Sequence, residues 1–472
     1  MRAGLPAPRE GRAGGRPRTL QCAPVNHVPS PPSLDLPLLA RWVEPLAKEG
    51  LADLFFEWKS ETHVSVRDGA VGASSVSIES AVSARARRGN RIVLTASPRA
   101  DESGARDAVR RLAGIVSSSH FPKSGERAAA EAAPETEDPS RWTKKITGVI
   151  ARAFENRPHR VEIRRRHATR LVVPALRGAH QHDRSRLSLH GDFLADTRGG
   201  PRWRAFNFHL AEADDGAFEE LRGRLRALAA STPGSVPPTA GATDVILENG
   251  SAAFFFHEVL SHPMEADAPA SRLANLVKAR LCPREVEVSD EPSRLDLFGG
   301  YPVDDEGVPA RKTALLSAGH LAGPLRDRLR ADPLHPSTGN GRRPSAYDHA
   351  APRGSNIVVG PGGASEEEML HRLATGIRIE EFDGGSVDLA SGRFRLRFPA
   401  AQAVQRGRIG QPLGPGHLEG EIVEALAAVD SLLGSRAKSC RQLAWCSREG
   451  KIVPVGGEAP AVIVRKLQVA PR

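Results

Sequence analysis

The segment STPGSVPPTAGAT, Ser231 to Thr243, does most to limit how this chain can fold. Its prolines and glycines continue neither a helix nor a strand, so the residues on either side must build separate cores. Length points the same way, because single hydrophobic cores stop growing at roughly 250–300 residues and this chain has 472. The expected organisation is a tail over residues 1–34, an N-terminal domain over 35–240 and a C-terminal domain over 241–472.

The first 34 residues are rich in Pro, Gly and Arg and hold too little apolar surface to offset the entropy of ordering. They are expected to be a disordered tail or an upstream extension of the true start. They lack the apolar stretch of about 7–15 residues that a secretory signal carries, and no apolar run in the chain approaches the ~18–20 residues that cross a bilayer. A cytoplasmic location with no membrane span is the expectation.

Four cysteines, Cys22, Cys282, Cys440 and Cys446, are too widely spaced to resemble a disulfide framework, which leaves a reduced thiol available as a metal ligand. The formal charge of +10 raises the question of nucleic acid, with Arg85, Arg87, Arg88 and Arg164 to Arg166 as small basic clusters. No aromatic interleaving or DNA-binding motif accompanies them, so a solvated strand face and no nucleic-acid partner are expected.

Local patterns predict an α+β fold. Helices are expected at Leu36 to Ala47, Ala105 to Ile115, Trp142 to Phe154 and Ala217 to Ala230. Strands are expected at Ala52 to Val66, turning at Asp68-Gly69, then at Ser75 to Ala81, Arg91 to Thr95, Val161 to Val173 and Arg186 to Ala195. The polar stretch SGERAAAEAAPETEDPS is read as a loop. Short turns join most of these strands, so the N-terminal α/β domain should carry a mainly antiparallel sheet. Beyond the linker, short strands and Gly-rich turns dominate, and RFRLRF alternates apolar and charged residues as a half-buried strand does. The C-terminal domain should be mostly β, with helices at Ala252 to His262, Ser365 to Thr375 and near Gly420 to Leu433.

The helix at Ala252 to His262 carries AFFFHEVLSHP, which places His257, Glu258 and His262 behind three phenylalanines. Histidines four apart on a helix can reach one metal. Here they are five apart, which on a regular α-helix separates them by roughly 140°. Pro263 lacks an N–H and disfavours α geometry at His262, which loosens the last turn. A single π-type turn would return both imidazoles to one face. The alternative is a core helix with inert, hydrogen-bonded histidines.

AFFFHEVLSHPMEAD resembles the H-E-x-x-x-H signature of the TldD/PmbA family of metallopeptidases. Further blocks, in the family's order, are VDDEGVPARKTALLSAGHLAG, STGNGRR, APRGSNIVVGPGGASEEEML, GGSVDLASGRFRLRF and AWCSREGKIVPVGGEAP. They cover nearly all of residues 243–472, and the first half resembles the family more loosely. The resemblance implies that His257, His262 and Cys446 hold a zinc ion, with a fourth tetrahedral position open for water. It also implies Glu258 as general base, with a ligand role as its alternative. Cys440 lies in an unmatched stretch but could replace or join Cys446. Glu265 and Asp267 could orient the histidines, or could merely be solvated. Ser261, where the family usually has glycine, and Pro263 depart from the pattern.

The resemblance implies a zinc-dependent metallopeptidase of the TldD-like branch that cleaves unfolded peptides or leader segments. It further implies a TldE/PmbA-like partner subunit or a homodimer. STGNGRR and Arg353 could bind substrate or form a tight structural turn. The competing reading is a catalytically weak binding or regulatory member of the same fold, which the family's gyrase-modulator label would link to DNA.

Overall fold

The computed structural model describes residues 32–472 except 90, 117–138, 156, 197–199, 212–214, 231–235, 269–272, 274–275, 277, 435–437 and 441–442. The expected disordered tail, except residues 32–34, the SGERAAAEAAPETEDPS loop up to residue 138 and the first five linker residues therefore lie outside the described residues. Leu34 packs against the N-terminal core.

The first helix, α1 (Leu36–Val43), starts where the Asp35 side chain accepts a hydrogen bond from the Leu38 N–H. It is shorter than predicted because Pro45 turns its end into a 3₁₀ segment, Glu44–Leu46. Six antiparallel strands follow: β1 (Ala52–Arg67), β2 (Ala70–Arg88), β3 (Arg91–Ser97), β4 (His159–Pro174), β5 (His180–Ala195) and β6 (Arg202–Leu210). Their order in the sheet is β3-β2-β1-β4-β5-β6. Asp68 and Gly69, both at positive φ, make the expected hairpin turn between β1 and β2.

Strand β2 is far longer than the predicted Ser75 to Ala81 segment. Its first ten residues are exposed and have no apolar alternation, so pairing with β1 rather than side-chain pattern holds them. Helices α2 (Glu102–Val116) and α1 cover one apolar cluster of the sheet, and α3 (Pro139–Phe154) and α4 (Asp215–Ala230) cover another.

Strand β7 (Gly241–Leu247) opens a second unit that is mostly β, as predicted. It runs parallel to Gly376–Ile379 and antiparallel to Val462–Pro471 within a nine-stranded sheet. A six-stranded sheet faces the same apolar core, and in it Asn356–Val359 runs parallel to Gly456–Ala459. Between the sheets lies α5 (Ser251–Phe256), whose Phe254, Phe255 and Phe256 are all buried. Helix α6 (Glu366–Leu373) is capped reciprocally by Ser365 and Glu368. The helix predicted near Gly420 to Leu433 is only α7 (Ile422–Ala427), because Val429–Leu432 pairs with the strand at Val462–Pro471.

The two units meet through buried charge, and here one sequence expectation is corrected. Arg85 is not on a solvated face: it is 1% exposed and bonds to both Asp53 and Glu306. Arg343 donates to Asp53 at 2.7 Å, and Arg170 pairs with Glu57 and Asp305. Alternation in β2 gave no hint of this, because the carboxylate Glu306 comes from the other half of the chain. Desolvated charges persist only where each has partners, so these bonds fix the seating of one unit on the other.

Candidate metal centre

The helix carrying the signature is regular only as far as Phe256. His257–Ser261 forms a π turn, closed by the His262 N–H donating to the His257 carbonyl, and a 3₁₀ turn, His262–Met264, follows with Pro263 inside it. The five-residue spacing thereby becomes one face: the two imidazole centroids are 4.6 Å apart. Ser261 sits there at φ −61°, ψ −51°, so the turn demands no glycine at this position. Its hydroxyl instead presses on Gly354, where an added Cβ would lie 2.3 Å from Ser261 Oγ. The phenylalanines seat the helix, Phe254 against Phe382 and Phe255 against Phe394.

Cys446 arrives from a distant hairpin, Trp445–Arg448 with Lys451–Pro454. One ligand-type atom from each of His257, His262 and Cys446 lies within 4.8 Å of the others, and all three residues are buried. Cys446 Sγ is 3.0 Å from His262 Nε2. Burial would push the thiol up, but His262 and His257 hold it well below its usual range. Burial likewise opposes a charged His262, yet Cys446 and Glu265 hold it well above the usual imidazole range. His257 Nε2 is buried without a hydrogen-bond partner among the described residues, which is costly unless something occupies the space beside it. Two imidazoles and a thiolate suit zinc and leave a fourth position open, so the residues fit a metal.

A second ring of groups fixes this cluster. Glu265, fully buried, lies 3.5 Å from His262 Nδ1, accepts the Gly354 N–H at 3.0 Å and pairs with Arg353 and Arg448. Burial opposes its charge, but His262 and the two arginines bring its carboxyl down to about 2. Arg353 donates to Cys446 Sγ at 3.2 Å and to the Cys446 carbonyl at 3.3 Å. Asp267 bonds to Arg448. Arg353 therefore faces the thiol, a role that its place in the matched block APRGSN did not reveal.

Glu258 lies beside the cluster, and burial pushes its carboxyl above the usual carboxylate range. It lines a cavity of about 410 Å³ together with His257, His262 and Cys446. The wall continues through Gly384 to Val387 and, unforeseen from the sequence, through His190, Asn207 and His209 of β5 and β6. No local signal could have marked these last residues. Cys440 is buried but is not among the converging donors. None of Ser337 to Arg343 lines this cavity: Asn340 bonds to Asp290, and Arg343 to Asp53. Within STGNGRR, Asn340 and Arg343 are thus committed to structural bonds away from the metal centre.

Residues 240–471 match the family model described as the PmbA/TldA metallopeptidase C-terminal domain, and residues 52–132 match PmbA/TldA metallopeptidase domain 1. A metalloprotease TldD homolog from Buchnera aphidicola subsp. Schizaphis graminum is 30% identical over 233 residues, 48% of each chain. A zinc metalloprotease TldD homolog from Saccharolobus solfataricus is 28% identical over 236 residues, 49% of this chain and 52% of that one. The matched segment spans about half the length of these relatives. The crystal structure of TldE from Thermococcus kodakarensis superimposes with a TM-score of 0.71 at 14% identity, covering 92% of this chain and 98% of that one, which speaks for the fold. With both domains matched in order, this chain belongs to the PmbA/TldD family of metallopeptidases.

Proposed function

We propose that the protein is a zinc-dependent metallopeptidase that hydrolyses unfolded peptides or leader segments. The observation that carries this reading is the convergence of His257, His262 and Cys446 at a cavity that also holds the buried carboxyl of Glu258. Zinc, when bound by the three side chains, supplies a Lewis acid that acidifies water toward a pKa of ~7 and polarises a peptide carbonyl. Glu258 takes the proton of the attacking water on a carboxylate oxygen and returns it to the leaving amine nitrogen. Glu265 holds His262 through Nδ1, and Arg353 holds the thiolate, so the donors keep one geometry while substrate enters.

The cavity wall favours an extended peptide. Gly384–Asp388 and β6 are the outermost strands of their sheets, and both contribute to the wall, so each offers backbone groups to a peptide whatever its side chains. A TldE-like partner or a second copy of this chain would enclose the cavity further. The family membership and the fold shared with TldE support such a partner. Among the described residues no helix is long and apolar enough to cross a membrane. Cys282 and Cys446 are reduced thiols, which suits a reducing compartment such as the cytoplasm.

Metal analysis of the purified chain, run alongside cleavage of an unstructured peptide with and without a chelator, tests the proposal. About one zinc per chain and cleavage lost to the chelator are expected. Stoichiometric zinc with no cleavage of any unfolded peptide would favour a binding or regulatory role. No metal at all would overturn both the cofactor and the reaction.

A further inference from the structure

A second cavity lies on the far side of Trp445 from the metal centre, at the junction of the two units. Its volume is about 40 Å³, whereas one water needs roughly 10–15 Å³. It therefore has room for a few waters or one small polyatomic ion. It is lined by Arg170, Arg184, Arg186 and Arg342, with Lys59 and Arg166 beside them.

The carboxylates in the same lining do not balance this charge. Arg170 takes both Glu57 and Asp305. Asp304 spends its oxygens on the backbone N–H groups of Glu306, Val308 and Gly341, and burial together with Glu306 raises its carboxyl well above the usual range. Lys59 and Arg166 turn to Glu79 and Glu61. Arg186 and Arg342 lie over the rings of Phe298 and Tyr301 and, among the described residues, hydrogen-bond only to carbonyls. Arg186 donates to Phe298 O at 2.7 Å and Gly300 O at 3.2 Å, and Arg342 donates to the carbonyls of Gly354 and Pro454.

No described carboxylate comes within ion-pair distance of either group, although Arg342 is only 3% exposed. Backbone carbonyls satisfy N–H donors but supply no compensating charge, and buried charges are ordinarily paired. The ring of His182 also lines the cavity, and its buried Nδ1 has no hydrogen-bond partner among the described residues. Burial keeps that ring neutral by lowering its pKa to about 4, so it carries one N–H that can be donated.

We propose that this cavity is a binding site for a small tetrahedral oxyanion, of the phosphate or sulfate class, held between Arg186 and Arg342 with His182 as a further donor. Planar guanidinium forks match the paired oxygens of such an ion. The ion would lock the β4–β5 face onto the loop at Tyr301 to Asp305 and onto the hairpin that carries Cys446. The site is independent of the metal and of the proposed peptidase activity.

Calorimetric titration of the full chain with inorganic phosphate, and in parallel with sulfate, tests the assignment. Ionic strength is held constant with sodium chloride, and each titration is repeated with a chelator so that anion bound at a metal drops out. One saturable site per chain that survives the chelator is expected for both ions. Arg186→Gln should weaken it about 10- to 100-fold, the loss of one charge-assisted contact, and Arg186→Lys should weaken it less. Circular dichroism of the variants checks that they fold. No saturable heat from the unaltered protein would overturn the proposal, as would equal affinity in a folded Arg186→Gln variant.

Discussion

Cys446 Sγ lies 3.0 Å from His262 Nε2, although 184 residues separate the two in sequence. Replacing Cys446 by Ser removes a thiolate and should lower zinc content sharply and abolish cleavage. Cys440→Ser, outside the converging donors, should keep both. Elemental analysis of the two variants decides the matter, and a reversed pattern would move the third ligand to Cys440.

Glu258→Gln keeps the shape of the side chain and all three donors but removes the proton acceptor. Zinc should stay bound at the unaltered stoichiometry, while peptide cleavage falls by about 10²–10⁴-fold, the usual contribution of a general base. Cleavage at the unaltered rate would show that Glu258 is not the base.

Glu265 answers to several groups at once: His262, Arg353, Arg448 and the Gly354 N–H. Glu265→Gln should weaken zinc about 10- to 100-fold, as loss of a group orienting a ligand does. It should also destabilise the fold by about 3–5 kcal/mol, because buried arginines lose their counter-charge. Competition with a chromophoric chelator and urea unfolding measure the two effects. An unchanged zinc affinity would reduce Glu265 to a structural role.

Asp327 predicts a pH dependence. Burial and the neighbouring Glu306 raise its carboxyl from 3.8 to about 6, against the pull of Arg330. A carboxyl with a raised folded pKa favours folding while protonated. Its contribution is therefore complete below about pH 4, falls as pH rises through about 6 and is absent above, a change of up to about 3 kcal/mol. Asp327→Asn lacks this titration. The difference in unfolding free energy between the two proteins should thus move against the unaltered protein between pH 4 and 7. A constant difference across that range would show that Asp327 titrates normally.

Much of the local structure around the site follows from the sequence alone. A five-residue histidine spacing ahead of Pro263 is incompatible with one face of a regular helix, and the π turn at His257–Ser261 is the local solution. Ser365 and Glu368 announce α6, and RFRLRF announces its strand, because caps and alternation depend only on neighbours a few residues apart. Pro45 and the strand partner at Val462–Pro471 cut two predicted helices short, and β6 is not among the predicted strands.

What only the tertiary structure decided is non-local. Composition gave Arg85 a solvated face, and the approach of Glu306 from the other unit buried it. Only strand register brings Cys446 to His262, Arg353 to the thiol and β5 and β6 to the cavity wall. A matched block could nominate Cys446, but no periodicity could. The reason is physical: the face of a helix or strand is fixed by residues within a turn or two, whereas a donor set of this kind closes only when chain segments about two hundred residues apart pack together.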